Sequence, residues 1–201
     1  MSTKNYLFSQ WKPFGDIFVT VRKITCLILL FLTVGIGTTW AAGTTVTYAY
    51  DGDTSPTVTG TEPTGVTSAL SGTYTNNSGW MQCANSGSAV LTLSGYKGYK
   101  ITAITIHVKS NKSSGTGSFT VTAGSTTLAS IASNSFNNAA WNGAWNNSGV
   151  DKVLTMSNNN YEIKNGEDVT FSLNVTSSGK SLYINSWTIT YEAASTNTCV
   201  L

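Results

Sequence analysis

Charge is what this 201-residue chain has least of: Asp, Glu, Lys and Arg make up 10% of it, against about 25% in ordinary globular proteins. Arginine occurs once, as Arg22, histidine once, as His107, and proline three times. Charge-driven disorder is excluded, since it needs a high net charge and few aromatics, and here aromatics are 11%. A long charged helix or coiled coil is excluded on the same ground. The three cysteines show no Cys-x-x-Cys spacing and there is no second histidine, so no zinc-ligand pattern exists. Nor is there a Gly-x-Ser-x-Gly elbow to present a nucleophile. No apolar run reaches the ~20 residues of a membrane-spanning helix; the longest is residues 24–36.

That run has a meaning of its own. Arg22 and Lys23 precede it, and Thr39, Trp40 and Ala41 follow with small residues. A basic start, a short apolar stretch and a small-residue exit describe a helical secretory signal peptide, cleaved after Ala41 or a residue to either side. Residues 1–21 fit a leader poorly, with Trp11, Pro13 and Asp16 among them; a start at Val21, through a bacterial GTG codon, explains them. No cysteine closes the run, so a lipid anchor is not expected. The division is therefore residues 1–41 as extension and signal peptide, 42–192 as one domain and 193–201 as a linker-like tail, as if a further module followed. Secretion to the periplasm, cell surface or medium follows, with no membrane span in the mature chain. Beyond residue 41 there are seven lysines, no arginine and eight carboxylates, a net charge of about −1. Phosphate backbones call for clustered Arg and Lys, so nucleic acid is not an expected partner.

What is plentiful is alternation. Val46, Tyr48 and Tyr50 alternate with Thr45, Thr47 and Ala49; Ile104, Ile106 and Val108 with Thr105, His107 and Lys109; Val169, Phe171, Leu173 and Val175 with Thr170, Ser172, Asn174 and Thr176. Ala89, Leu91 and Leu93, and Phe119, Val121 and Ala123, repeat the pattern. Period two with Thr and Val, broken by Gly and Ser about every ten residues, marks half-buried antiparallel strands. Seven or more such strands in about 150 residues close as two packed sheets. The fold class is all-β, an antiparallel two-sheet β-sandwich of jelly-roll-like form. Residues 111–117 and 177–180 read as turns joining consecutive strands, residues 54–64, with Pro56, Gly60 and Pro63, as a loop, and residues 133–149 as a long loop, either functional or mobile.

The long loop carries Trp141 and Trp145 among Asn137, Asn138, Asn142, Asn146 and Asn147. Indole faces stack on sugar rings and Asn amides bond hydroxyls, so Trp141, Trp145, Asn142 and Asn146 are candidate ligand contacts, with Trp80 as a third platform. The competing reading has these tryptophans plugging the ends of the sandwich; Trp187 belongs to the core in either case. Asp51 and Asp53 flank Gly52: they are turn formers or, with Asp151, ligands of a structural calcium, the one cofactor considered. Glu167 and Asp168 are adjacent, so a strand turns them to opposite faces, and a glycosidase needs two carboxylates on one site. His107 stands alone on a solvent face. Cys83 and Cys199 are free thiols or a single bridge, which would contribute about 4–5 kcal/mol through loop closure.

The closing run Ser181-Leu182-Tyr183-Ile184-Asn185-Ser186-Trp187-Thr188-Ile189-Thr190-Tyr191 resembles the last strand of galactose-binding-like jelly-roll modules of secreted bacterial multidomain proteins. The run Gly98-Tyr99-Lys100-Ile101-Thr102-Ala103-Ile104-Thr105-Ile106, followed by a Gly-Ser hairpin into Phe119-Thr120-Val121, resembles their middle. The likeness spans roughly residues 44–192 as a pattern without invariant motifs. It implies a β-sandwich used for sugar binding, for attachment beside catalytic domains or as a spacer. The expectation is a non-catalytic accessory module, not an enzyme, whose partner is a glycan or a neighbouring domain of a longer protein. The rival expectation is a structural or adhesin-type spacer without a small ligand. The intact mass of the secreted product tests the leader: it should match a chain starting within one residue of Ala42, and a retained apolar run would contradict the assignment.

Overall fold

The computed structural model describes residues 43–110, 116–131, 148–176 and 181–194. The helical leader expected at 1–41, most of the long loop and the end of the tail lie outside these. Among the described residues twelve strands form: β1 (Thr44–Ala49), β2 (Thr57–Gly60), β3 (Thr67–Ser71), β4 (Thr75–Asn76), β5 (Met81–Ala84), β6 (Ser88–Ser94), β7 (Tyr99–Ser110), β8 (Gly117–Ala123), β9 (Thr126–Ile131), β10 (Val150–Val153), β11 (Val169–Val175) and β12 (Ser181–Ala193). The first sheet runs β10–β7–β12–β1–β2, with β5 beside the opening half of β12 and β4 outside β5. The second runs β3–β6–β11–β8–β9, and every pairing is antiparallel. The antiparallel two-sheet sandwich expected from the alternation is the architecture that forms.

Alternation told the inner faces of the regular strands and not their neighbours, and three expectations change. Residues 111–117 lead from β7 in the first sheet to β8 in the second, and residues 177–180 lead from β11 to β12, again across the sheets. Neither joins a hairpin; the hairpins are β1–β2, β4–β5 and β8–β9. Residues 54–64 are not wholly a loop either, since β2 forms between Pro56 and Pro63 as an exposed edge strand, a position where flanking prolines leave the ladder intact.

The core is the interleaved inner faces. Val46, Tyr48, Ile104, Ile106, Val108, Trp187 and Ile189 from one sheet meet Leu91, Leu93, Phe119, Val121, Phe171 and Leu173 from the other, all fully buried. Each such side chain contributes about 1.5–3 kcal/mol by leaving water. Three extra residues adjust the parity. In β12, Ile184 opposes Val108 but Ser186 opposes His107, so Asn185 is a bulge that turns the inward set from Leu182 and Ile184 to Trp187, Ile189 and Tyr191. In β7, Thr190 opposes Ala103 and Tyr191 opposes Ile101, so Thr102 moves the inward set from Ile101 to Ile104. In β9 the shift at Leu128 buries both Leu128 and Ala129.

One end of the β7–β12 pair is closed by tyrosines. Tyr96, Tyr99 and Tyr191 meet edge to face with centroids 5.4–6.3 Å apart. The Tyr48 hydroxyl lies 2.8 Å from that of Tyr96 and donates to Glu62 Oε1 at 2.7 Å. Burial, then these hydrogen bonds, holds the Tyr48 proton far above the usual phenol range, and burial does the same for Tyr96. The indole N–H of Trp187 is buried without an acceptor among the described residues, a local cost carried by the packing around it.

The outer faces are hydroxylated. Thr47 and Thr188 bond at 2.9 Å, and Thr45 and Thr190 at 3.2 Å, across β1 and β12. No strand of the second sheet contains Asp, Glu, Lys, Arg or His. Its edges are met by crossing backbone: Leu70 N of β3 donates to Thr54 O at 2.7 Å, and Ser157 N donates to Leu128 O of β9 at 2.7 Å beside a bridge between Ala129 and Met156.

Cys83 faces inward on β5, free and buried, and burial pushes its thiol up to about 12. Because the folded state keeps a proton that the unfolded thiol releases near pH 9, its contribution is intact below pH 9 and is lost as pH rises toward 12. Urea titrations should therefore show stability falling with alkalinity less steeply in Cys83→Ala than in the native chain, with Cys83 unreactive to a thiol reagent at pH 8 until urea is added. Rapid labelling of Cys83 in the folded protein would contradict this.

Candidate functional site

At the other end of β7–β12 the outward side chains are large instead of hydroxylated. His107 and Lys109 project from β7, Tyr183 from β12, Gln82 from β5 and Asp151 from β10, and Trp80 immediately precedes β5. The bulge at Asn185 sets this grouping, because it puts Tyr183 opposite Lys109 and on the outer face while Trp187 stays inside. Asn185 also holds the turn before Trp80: its Nδ2 donates to Gly79 O at 2.6 Å, while Tyr50 N donates to Asn185 O at 2.8 Å.

Trp80 is the centre of the patch. The Lys109 ammonium lies 4.2 Å from its ring centroid and 5.2 Å from that of Tyr183. The His107 ring sits 5.2 Å from Trp80, tilted 32°. Trp80 is 7% exposed and Tyr183 2%. Trp80 is therefore not the open stacking platform expected of it; its ring is enclosed by Lys109, His107 and Gly149, and it serves as a floor. A polar rail runs alongside, in which Asn77 Nδ2 donates to Gln82 Oε1 at 2.8 Å and Gln82 Nε2 donates to Ser181 Oγ at 3.0 Å. Desolvation holds the Lys109 ammonium below the usual lysine range.

His107 stands on the outward face that alternation assigned it, but it is not free. Nδ1 lies 2.6 Å from Asp151 Oδ1 and Nε2 lies 2.8 Å from the Ser148 carbonyl. Asp151 to His107 has the look of a base-orienting pair. A general base must keep one nitrogen for the reacting proton, and here the second nitrogen is spent on the backbone. The pair is a clamp on residues 148–151, the C-terminal foot of the long loop. Gly149 completes the clamp: its φ is 66°, and a Cβ there would run into the Trp80 indole and His107 Nε2.

Trp141, Trp145, Asn142 and Asn146 lie outside the described residues. The described ends of their segment are Ile131, closing β9 at the edge of the second sheet, and Ser148, two residues before β10 at the edge of the first. Trp187 is fully buried in the core, as expected.

The carboxylates are dispersed. Asp51 Oδ1 accepts from Asp53 N at 3.2 Å and its Oδ2 accepts from the Thr57 hydroxyl, which holds its carboxyl below the usual range. This is a turn-forming arrangement. Asp151 belongs to β10, three strands from β1 and so about 14 Å away across the ladder; the proposed calcium ligands are not brought together. Among the described residues no three His, Cys, Asp or Glu side chains cluster as a metal site. Glu167 accepts from the Tyr161 hydroxyl at 2.9 Å and from Lys164 N at 2.9 Å, while Asp168 accepts from Ser94 Oγ at 2.6 Å. The adjacent pair is divided between different partners, as their opposite directions required. Sequence reasoning missed Lys109, Tyr183, Gln82 and Asp151 as one group, since they come from four strands. The signal available was two large residues, His107 and Lys109, following Thr105 on the outward face of β7.

An all-β, two-sheet sandwich with an aromatic and cationic patch at Trp80 and Lys109 is what these features define. No family model matches the chain, and no curated protein matches it. The solved structures similar to the chain include these two. One is a family two carbohydrate esterase from Cellvibrio japonicus, 11% identical over 75% of this chain with a TM-score of 0.38; the chain spans 36% of that protein's length. The other is the CBM36-1 domain of a multidomain xylanase from the hindgut metagenome of Trinervitermes trinervoides, 10% identical over 61% of this chain and 95% of that one, with a TM-score of 0.34.

The clamp is testable without a ligand. Gly149→Ala places a Cβ against Trp80 at a positive φ and should lower stability by about 1–3 kcal/mol, read as a lower thermal midpoint. An unchanged midpoint would mean that the loop foot does not seat on Trp80.

Proposed function

We propose that this protein is a secreted, non-catalytic accessory module that binds glycans through Trp141, Trp145, Asn142 and Asn146. The observation that carries the reading is the anchoring of the loop foot. Ser148 is held by His107, and Gly149 is fitted against Trp80, so the scaffold spends its one histidine and a buried tryptophan on fixing where a Trp- and Asn-rich segment re-enters the sheet. Anchored loops on a rigid β scaffold are a common way to present contacts. In this reading the indoles stack on sugar faces and the amides bond hydroxyls, with no cofactor. Trp80 supports the loop and does not touch the sugar. The dispersal of carboxylates and the double engagement of His107 support a binding role over a hydrolytic one.

A second reading has its own observation. Both tryptophans among the described mature residues, Trp80 and Trp187, are buried, which suits a spacer or adhesin-type module of a longer cell-surface protein that uses indoles as packing alone.

Tryptophan fluorescence of the full chain, titrated with plant and host polysaccharides, separates the two. The glycan reading expects a saturable shift that Trp141→Ala and Trp145→Ala each weaken by about tenfold or more, in line with ~1–3 kcal/mol for a stacked ring, without lowering the thermal midpoint. No shift with any polysaccharide, together with variants that only melt earlier, would assign those rings to packing and leave the spacer.

A further inference from the structure

We infer that Lys109 is the recognition point for a carboxylate carried by the glycan, so that the ligand class is an acidic, uronate-containing polysaccharide. The inference rests on the glycan reading above and deepens it. Lys109 is half-buried on the outward face of β7, and its ammonium is held by the Trp80 and Tyr183 rings at 4.2 and 5.2 Å. Ring quadrupoles attract the cation but accept none of its three N–H donors in the way an oxygen does. A cation withdrawn from water ordinarily has a carboxylate partner. Among the described residues Lys109 has none: Asp151, nearest in register, is bonded to His107. The connecting segments 111–115, 132–147 and 177–180 contain no Asp or Glu at all.

The position of the ammonium is also fixed. Trp80 is held by the β5 ladder and by the Asn77–Trp80 turn, whose backbone bonds are 2.9 and 3.2 Å, and Tyr183 by pairing on both sides of β12. A partly dehydrated cation seated between two rings, with no carboxylate partner among the described residues, favours an anion over water more than a mobile surface lysine does, because less ordering is left to perform on binding. Carboxylate is favoured over sulfate or phosphate by number. One point charge suits a singly charged group, whereas phosphate sites collect several cations or an arginine fork, and this chain has no arginine beyond Arg22. Gln82 and Asn77, bonded to each other and, through Gln82, to Ser181, keep one amide N–H each and the Asn77 side-chain carbonyl for hydroxyls of the same sugar.

The test uses the full chain with polygalacturonate and hyaluronan, each beside its methyl-ester form, which keeps the polymer and removes the charge. Affinity should be about tenfold higher for each free acid, the scale of one charge-assisted hydrogen bond, and the preference should shrink as salt is raised. Lys109→Met, which keeps an apolar stem over Trp80, should erase the preference; Lys109→Arg should retain most of it. Equal binding of acid and ester, or a preference that survives in Lys109→Met, overturns the inference and leaves the glycan reading intact. Dextran sulfate bound more tightly than either free acid also overturns it, by assigning the cation to sulfate. Binding of none of these polymers, nor of any neutral polysaccharide, overturns the glycan reading and the inference together.

Discussion

Everything in this sandwich hangs on the pairing of β7 with β12, and that pairing works because it contains two extra residues. A strand of thirteen residues with strict alternation would keep one set of side chains inside along its whole length. Asn185 breaks the set, so that Leu182 and Ile184 point inward before it and Trp187, Ile189 and Tyr191 after it. The break falls where the neighbour of β12 changes from β5 to β1. One inserted residue thus reconciles two partner strands, seats the largest core side chain and leaves Tyr183 on the outer face. Its side-chain amide then holds Gly79 and its carbonyl holds Tyr50, which satisfies polar groups that a bulge otherwise leaves unpaired.

The inner faces of the regular strands and the sheet class were legible in the sequence because period two survives wherever the ladder is regular; the short strands were not, and β2 read as loop. The inward residues of β6, β8 and β11 could be read off directly, and all are buried. What could not be read was the pairing order. A run such as Val169 to Val175 states which side chains face inward and is silent about which strand lies beside it. Residues 111–117 and 177–180 looked like hairpin turns because Gly and Ser serve equally well in a link that crosses between sheets. The bulges were hidden for a related reason: Tyr183 and Trp187 both read as apolar positions, and nothing local says that they face opposite ways.

The candidate site was legible only in part. His107 was correctly placed outward by alternation, yet its two partners come from residues 41 and 44 positions away. Trp80 stood in an Asn- and Gly-rich stretch that reads like a loop rim, and it is enclosed because β7 and the foot of the long loop reach it from elsewhere in the chain. Asp51, Asp53 and Asp151 looked combinable because spacing says nothing of distance across a sheet. The patch at Lys109 is a property of register: four strands must be laid in order before its members become neighbours.

The second sheet protects its edges in a way that bears on the setting in which the molecule can work. Natural sheets commonly deter edge-to-edge association with lysines or inward charges, a device that weakens as counterions accumulate. Here β3 and β9 carry no charge, and the chain itself lies across them at Thr54 and at residues 156–158. Backbone hydrogen bonds to one's own sequence do not fade in brine, in acid or beside a dense polyelectrolyte. A protein of near-zero net charge has little long-range repulsion to keep copies apart, so guarding these two edges falls to the chain's own backbone. Such a design tolerates crowding against a charged matrix, where a charge-guarded edge would lose its guard.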